Sequence, residues 1–148
     1  MIRSLIFPAA MALMLLAAPG VWAAPPGTID VVDNSGGNVL QMVRYRDELA
    51  RSGQRVRIRG YCRSACTMLI TLPNACLGPH ATIGFHAPRI KGTRIIPPYV
   101  DQIMGRYYRG GIRERWFGGW NRSIEMVRMS ARDYVQLDPQ TPICRDLK

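Results

Sequence analysis

Between Thr28 and Phe85 the chain alternates between strand-like and helix-like periodicity, and this alternation restricts its fold more than any other feature. Thr28 to Val32 reads as a strand that ends in the turn Asp33-Asn34-Ser35-Gly36-Gly37. Val39, Met42, Val43, Arg46 and Ala50 then follow helical spacing, which predicts an amphipathic helix over about Asn38 to Ser52, with Asn38 as N-cap and Gly53 just beyond its end. Arg55-Val56-Arg57-Ile58-Arg59 alternates strictly, so Val56 and Ile58 face inward from a strand. Ala65 to Leu72 is continuously apolar enough for a buried helix, stopped by Pro73, and Ala81 to Phe85 is a short strand leading to His86. The expected fold class is therefore α/β: a compact domain with a small, mostly parallel sheet on a β-α-β-α-β core and right-handed crossovers. In such sheets functional groups gather beyond the carboxyl ends of the strands, where Gly36-Gly37, Ser64 and His86 all fall.

The rest of the chain is less regular. Arg89 to Pro98 is a polar, Pro-punctuated loop or flap, and Tyr99 to Arg109 has helical character. Ser123 to Val135 reads as a helix broken near Ser130, so helices are expected to complete the C-terminal part before an irregular tail. At the other end, residues 1–23 have the pattern of a secretory signal peptide. Arg3 supplies the positive charge, Leu5 to Ala18 the apolar run, and Val21-Trp22-Ala23 the small residues of a cleavage site. Cleavage near Ala23 would leave 24–148 as a single domain in the periplasm or secreted.

That expectation governs the reading of the cysteines. Cys62, Cys66, Cys76 and Cys144 are an even set in an exported chain, so two disulfides are expected in one of three connectivities. Cys66–Cys76 with Cys62–Cys144 is favoured, the first closing a short local loop and the second tying down the C-terminus. Cys62, Cys66, Cys76 and His80 could alternatively be read as a zinc set, but the spacing fits no common finger and exported thiols oxidise; no metal and no organic cofactor is expected.

The net charge is +10, and eighteen of the twenty basic residues are arginines. This balance favours anionic partners, although a genome's base composition can also enrich arginine. Arg106-Tyr107-Tyr108-Arg109 through Arg113, Arg115, Trp116, Phe117, Trp120 and Arg122 interleaves cations with aromatics. Export argues against nucleic acid, which leaves anionic lipid or another envelope component as the functional reading of Arg106–Arg122. The blander reading, which we favour, is that Trp116, Phe117 and Trp120 close the core or a contact within a homo-oligomer while the arginines face water.

Ser64 and His86 suggest chemistry. A serine hydroxyl becomes a nucleophile when an adjacent base takes its proton, and a carboxylate commonly orients that base. The oxyanion formed on attack needs N–H donors, as a glycine turn or a helix start can supply. Asn34-Ser35-Gly36-Gly37, Cys62-Arg63-Ser64-Ala65-Cys66 and Gly84-Phe85-His86-Ala87-Pro88, in that order and spacing, resemble the Clp protease proteolytic subunit and its exported relatives in the ClpP/crotonase superfamily. The similarity covers about residues 28–88. It implies Ser64 as nucleophile and His86 as general base. Gly37 and Ala65 would be oxyanion donors, Gly36 would permit the turn, and Asp133 would be the third catalytic residue, with Asp101 and Glu125 as weaker substitutes. Ser130-x-x-Asp133 also reads as a capping box. The resemblance implies a serine hydrolase, a peptidase acting on a peptide or protein substrate. The alternative is a catalytically silent relative that binds peptides or anionic envelope components.

Overall fold

The computed structural model describes residues 27–148; the expected leader, 1–23, lies outside them. The domain is mixed α/β. Strand β1 (Thr28–Val32) leads to helix α1 (Val39–Arg51), then β2 (Arg55–Arg59) and β3 (Tyr61–Arg63). A 3₁₀ helix over Ser64–Leu69 follows, then β4 (Ala75–Leu77) and β5 (Thr82–Phe85). The remainder comprises α2 (Val100–Gly105), α3 (Gly110–Gly118), a short 3₁₀ turn at Trp120–Arg122, β6 (Val127–Ser130) and α4 (Ala131–Leu137).

Local sequence explains these elements. The Asn38 side chain accepts from Gln41 N–H, capping α1, and Val39, Met42 and Leu49 form its buried stripe. Val56 and Ile58 are fully buried on β2. The outward Arg57 makes a paired contact with Asp30 of β1 (2.6 and 2.7 Å) and reaches Asp146 near the C-terminus (3.0 Å). That pairing with Arg57 holds the Asp30 carboxyl below the usual carboxylate range.

The single expected sheet is instead two. β1, β2 and β4 form one three-stranded sheet, all parallel; β3, β5 and β6 form the other, with β3 and β5 parallel and β6 antiparallel. The chain passes from one to the other between β2 and β3 across Gly60, whose φ of +63° turns it sharply. It crosses again between β4 and β5, where Gly78 N–H donates to Ile58 O (2.7 Å) and Thr82 N–H to Gly60 O (2.8 Å).

Two further expectations are corrected. The helix expected over Ala65 to Leu72 is 3₁₀ and ends at Leu69, and the C-terminal segment is not one broken helix. Val127–Ser130 pairs with β5 as strand β6, and Ser130 then caps α4. The disulfides also differ from the favoured pairing: Cys62 bonds Cys66, and Cys76 bonds Cys144. The C-terminus reaches Cys76 because Cys144 N–H donates to Leu77 O (2.8 Å) and Leu77 N–H to Pro142 O (2.9 Å), which seats the tail beside β4. With all four sulfurs oxidised, the alternative zinc set has no thiolates to offer. Disulfides are the mark of an oxidising compartment.

The core lies under both sheets. Phe85 is its centre, stacked on Trp120 (5.1 Å) and Tyr134 (6.4 Å) and edge-on to Tyr108 (5.5 Å), which meets Trp116. Tyr108, Trp116 and Tyr134 are fully buried, so aromatics of the basic segment close the core. Arg109 binds the buried Asp138 through two nitrogens (2.8 and 3.1 Å), and Phe117 stays exposed beneath Arg113. Among the described residues no helix is long and apolar enough to cross a membrane.

Candidate active site

Ser64 stands at the corner where β3 becomes the 3₁₀ helix, with φ +56°. That left-handed conformation is disfavoured for a residue with a side chain and persists only where its surroundings enforce it. Three constraints do so here. The Cys62–Cys66 disulfide closes a loop around it with a sequence separation of 4. Thr67 Oγ1 donates to the Ser64 carbonyl (2.7 Å) and pairs with the buried Tyr108 hydroxyl (2.8 Å). Gly36 packs on the corner from the other side: a Cβ at that position would lie 2.7 Å from Ala65 N and 2.8 Å from Arg63 O.

The glycine turn is itself fastened. Asn34 accepts from Gly36 N–H through Oδ1 (2.8 Å) and from Arg63 N–H through its carbonyl (3.1 Å). Of the residues expected to form an oxyanion site, Gly36 therefore has its N–H committed and serves the turn. Gly37 (φ +116°) is exposed, and its N–H makes no hydrogen bond within the described residues. Ala65 N–H lies in the first turn of the 3₁₀ helix, where no intrahelical acceptor exists.

His86 leaves β5 at the same end of the sheet. Arg63 of β3 is the register partner of Gly84 on the parallel β5, so Ser64 follows one residue beyond that pair and His86 two. Adjacent strands run about 4.8 Å apart. His86 Nδ1 lies 2.7 Å from Ala87 O. A carbonyl can only accept, so Nδ1 carries the proton and Nε2 keeps its lone pair, the tautomer a general base requires. Burial pushes the imidazole pKa below its ordinary value; Arg89 and Arg63 push the same way, and the Ala87 bond opposes them. The ring is therefore neutral at pH 7. No hydrogen bond joins Ser64 Oγ to His86 among the described residues.

Asp133 does not reach His86. Its carboxylate accepts from Ser130 Oγ (2.7 Å) and Ser130 N–H (3.3 Å), while Ser130 Oγ accepts from Asp133 N–H. Ser130 is the register partner of Thr82, at the opposite end of β5 from His86. The residue is the cap of α4, as the S-x-x-D spacing allowed, and not the third member of a triad. Asp101 is likewise engaged, accepting from Asn121 Nδ2 (2.7 Å). Glu125, two residues before the Val127 that pairs with Phe85, is the acid that the topology brings to the His86 end; it is exposed and does not bond the ring. The sequence reading missed Thr67 and Tyr108 as supports of the serine corner. An Asn two residues before a glycine is a recognisable turn signal, whereas nothing local links residue 67 to residue 108.

No family model matches the chain, and no curated protein matches it.

Proposed function

We propose that this protein is a periplasmic serine hydrolase, a peptidase on the ClpP/crotonase plan, working with a Ser64–His86 dyad. The observation that carries this reading is the constrained left-handed Ser64 corner, set at the same sheet end as an imidazole whose tautomer leaves Nε2 free. In the reaction, Ser64 Oγ attacks a peptide carbonyl as His86 Nε2 takes its proton. The oxyanion is met by the N–H groups of Gly37 and Ala65, and the proton passes to the leaving amine as the C–N bond breaks. A water molecule, deprotonated by His86, then hydrolyses the ester and returns the proton to Ser64. This chemistry calls for neither metal nor organic cofactor.

The carboxylate that would stabilise the imidazolium in a triad is replaced by the Ala87 carbonyl, while Arg89 and Arg63 destabilise that cation. Acylation is accordingly slow. These two features also support the second reading, a silent relative that binds peptides at the same sheet end. Fluorophosphonate labelling of the oxidised protein separates the two. Labelling abolished by Ser64→Ala and strongly reduced by His86→Ala is expected; a folded, oxidised sample that does not label would leave the binding protein.

A further inference from the structure

The segment Arg89–Tyr99, which follows His86-Ala87-Pro88, is explained neither by the core nor by the chemistry proposed above. Six large apolar side chains are exposed among the described residues. Val32, Leu40 and Phe117 lie apart on β1, α1 and α3, but Ile90 (48% exposed), Ile95 (60%) and Tyr99 (72%) fall within this one segment. It is an ordered turn. Ile90 N–H donates to Ile95 O (2.9 Å) and Thr93 N–H to Ile90 O (3.0 Å), while Thr93 Oγ1 accepts from Ile95 N–H (3.1 Å). The two isoleucines are thereby held beside each other in solvent. Tyr99 adopts φ +66°, a costly conformation for a bulky residue, without gaining any burial from it.

Cations interleave with these apolar groups. Arg89, Lys91 and Arg94 are exposed, none forms an ion pair among the described residues, and no acidic residue occurs from 87 to 100. Apolar tips with a tyrosine and unpaired cations around them match the needs of a bilayer interface. There the aliphatic groups enter the acyl boundary, tyrosine sits at the headgroups, and Lys and Arg meet lipid phosphates. A second copy of the chain suits the patch poorly, since three cations would face three cations on molecules that each carry +10. We propose that the Arg89–Tyr99 turn docks the protein on an anionic lipid surface, which would hold the Ser64–His86 end of the sheet close to the bilayer. Arg106–Arg122, for which lipid contact was the alternative to a core role, offers fewer apolar tips for such docking, because Tyr108 and Trp116 of that segment are buried. This inference does not depend on whether Ser64 is a nucleophile.

The test is co-sedimentation with phosphatidylcholine vesicles, with and without phosphatidylglycerol, using protein purified from cells expressing the full chain. Any contribution from the apolar N-terminal run is common to all variants and cancels between them. Ile90→Ser and Ile95→Ser should each lower partitioning onto anionic vesicles about tenfold. Lys91→Gln and Arg94→Gln should each lower it about fivefold, with no change on neutral vesicles. All four positions are exposed, so unchanged thermal unfolding midpoints are expected and show that the fold is intact. Isoleucine variants that partition like the unmodified protein would overturn the proposal. So would a dimer on gel filtration that these variants dissociate without any effect on vesicle binding.

Discussion

Gly36→Ala tests whether the glycine turn and the serine corner are one packed unit. Two costs apply. At φ +83° an alanine pays about 1–2 kcal/mol for the left-handed region. Its Cβ would also lie 2.7 Å from Ala65 N and 2.8 Å from Arg63 O, backbone atoms that cannot rotate away as a side-chain tip could. Relief needs a backbone shift at a corner pinned by the Cys62–Cys66 bond, costing about 1–3 kcal/mol more by analogy with overpacked cores. Gly53→Ala is the matched control, because Gly53 also has positive φ (+64°) but a Cβ there meets nothing within 4 Å. Both variants share the backbone cost, and only Gly36→Ala adds the overlap. Urea unfolding of the oxidised proteins should give midpoints that differ by about 1 M, taking a slope of about 1–3 kcal/mol per M. Gly36→Ala should also impair fluorophosphonate labelling, and Gly53→Ala should leave it intact. Coincident midpoints would refute the close approach of Gly36 to the serine corner.

The two disulfides should separate stability from reactivity. By loop entropy, replacing Cys76 and Cys144 by alanine (separation 68) should cost about 4 kcal/mol, against about 2 kcal/mol for Cys62 and Cys66 (separation 4). Only the second pair should abolish labelling while the protein remains folded, as urea unfolding and labelling together will show. For His86, a lowered folded-state pKa means that the unfolded chain binds the proton first as pH falls. Its contribution to stability is therefore complete above about pH 6.5 and is lost as pH drops through the folded value. An NMR titration should place the His86 midpoint below 6.5, and Arg89→Gln should move it upward; a midpoint above 6.5 would contradict the burial assigned to the ring.

The alternation of periods made β1, α1, β2 and β5 legible, since each carries its own pattern or cap over several residues. β3 and β4 span three residues each, too short for any periodicity to show. β6 was hidden because Val127 and Met129 face the core only partly, and Ile124 and Met126, three residues before each, give the stretch a helical spacing as well. In the site, Ser64, His86 and the glycine pair stood out because each follows a strand. The role of Asp133 was ambiguous for a physical reason: its capping-box spacing is a local signal, whereas its distance from His86 depends on the direction in which β6 returns along β5. The disulfide pairing depended on where the tail docks, which the Leu77–Ile143 bridge sets and nothing in the spacing of the cysteines reveals.

Between β2 of one sheet and β3 of the other lies Gly60 alone. It thereby fixes the phase of β3 relative to β2, and with it which side chains of β3 point inward. Cys62 is wholly buried while its neighbours Tyr61 and Arg63 are not, so the half-turn at Gly60 decides that the cysteine meets Cys66 under the sheet. One residue added or removed there would leave the β1-β2-β4 sheet unaltered and invert β3, turning Cys62 to solvent and unhooking the loop around Ser64. The chain thus tolerates length variation in its outer turns far better than at this one-residue crossing, where a change of one residue would be read out at the serine.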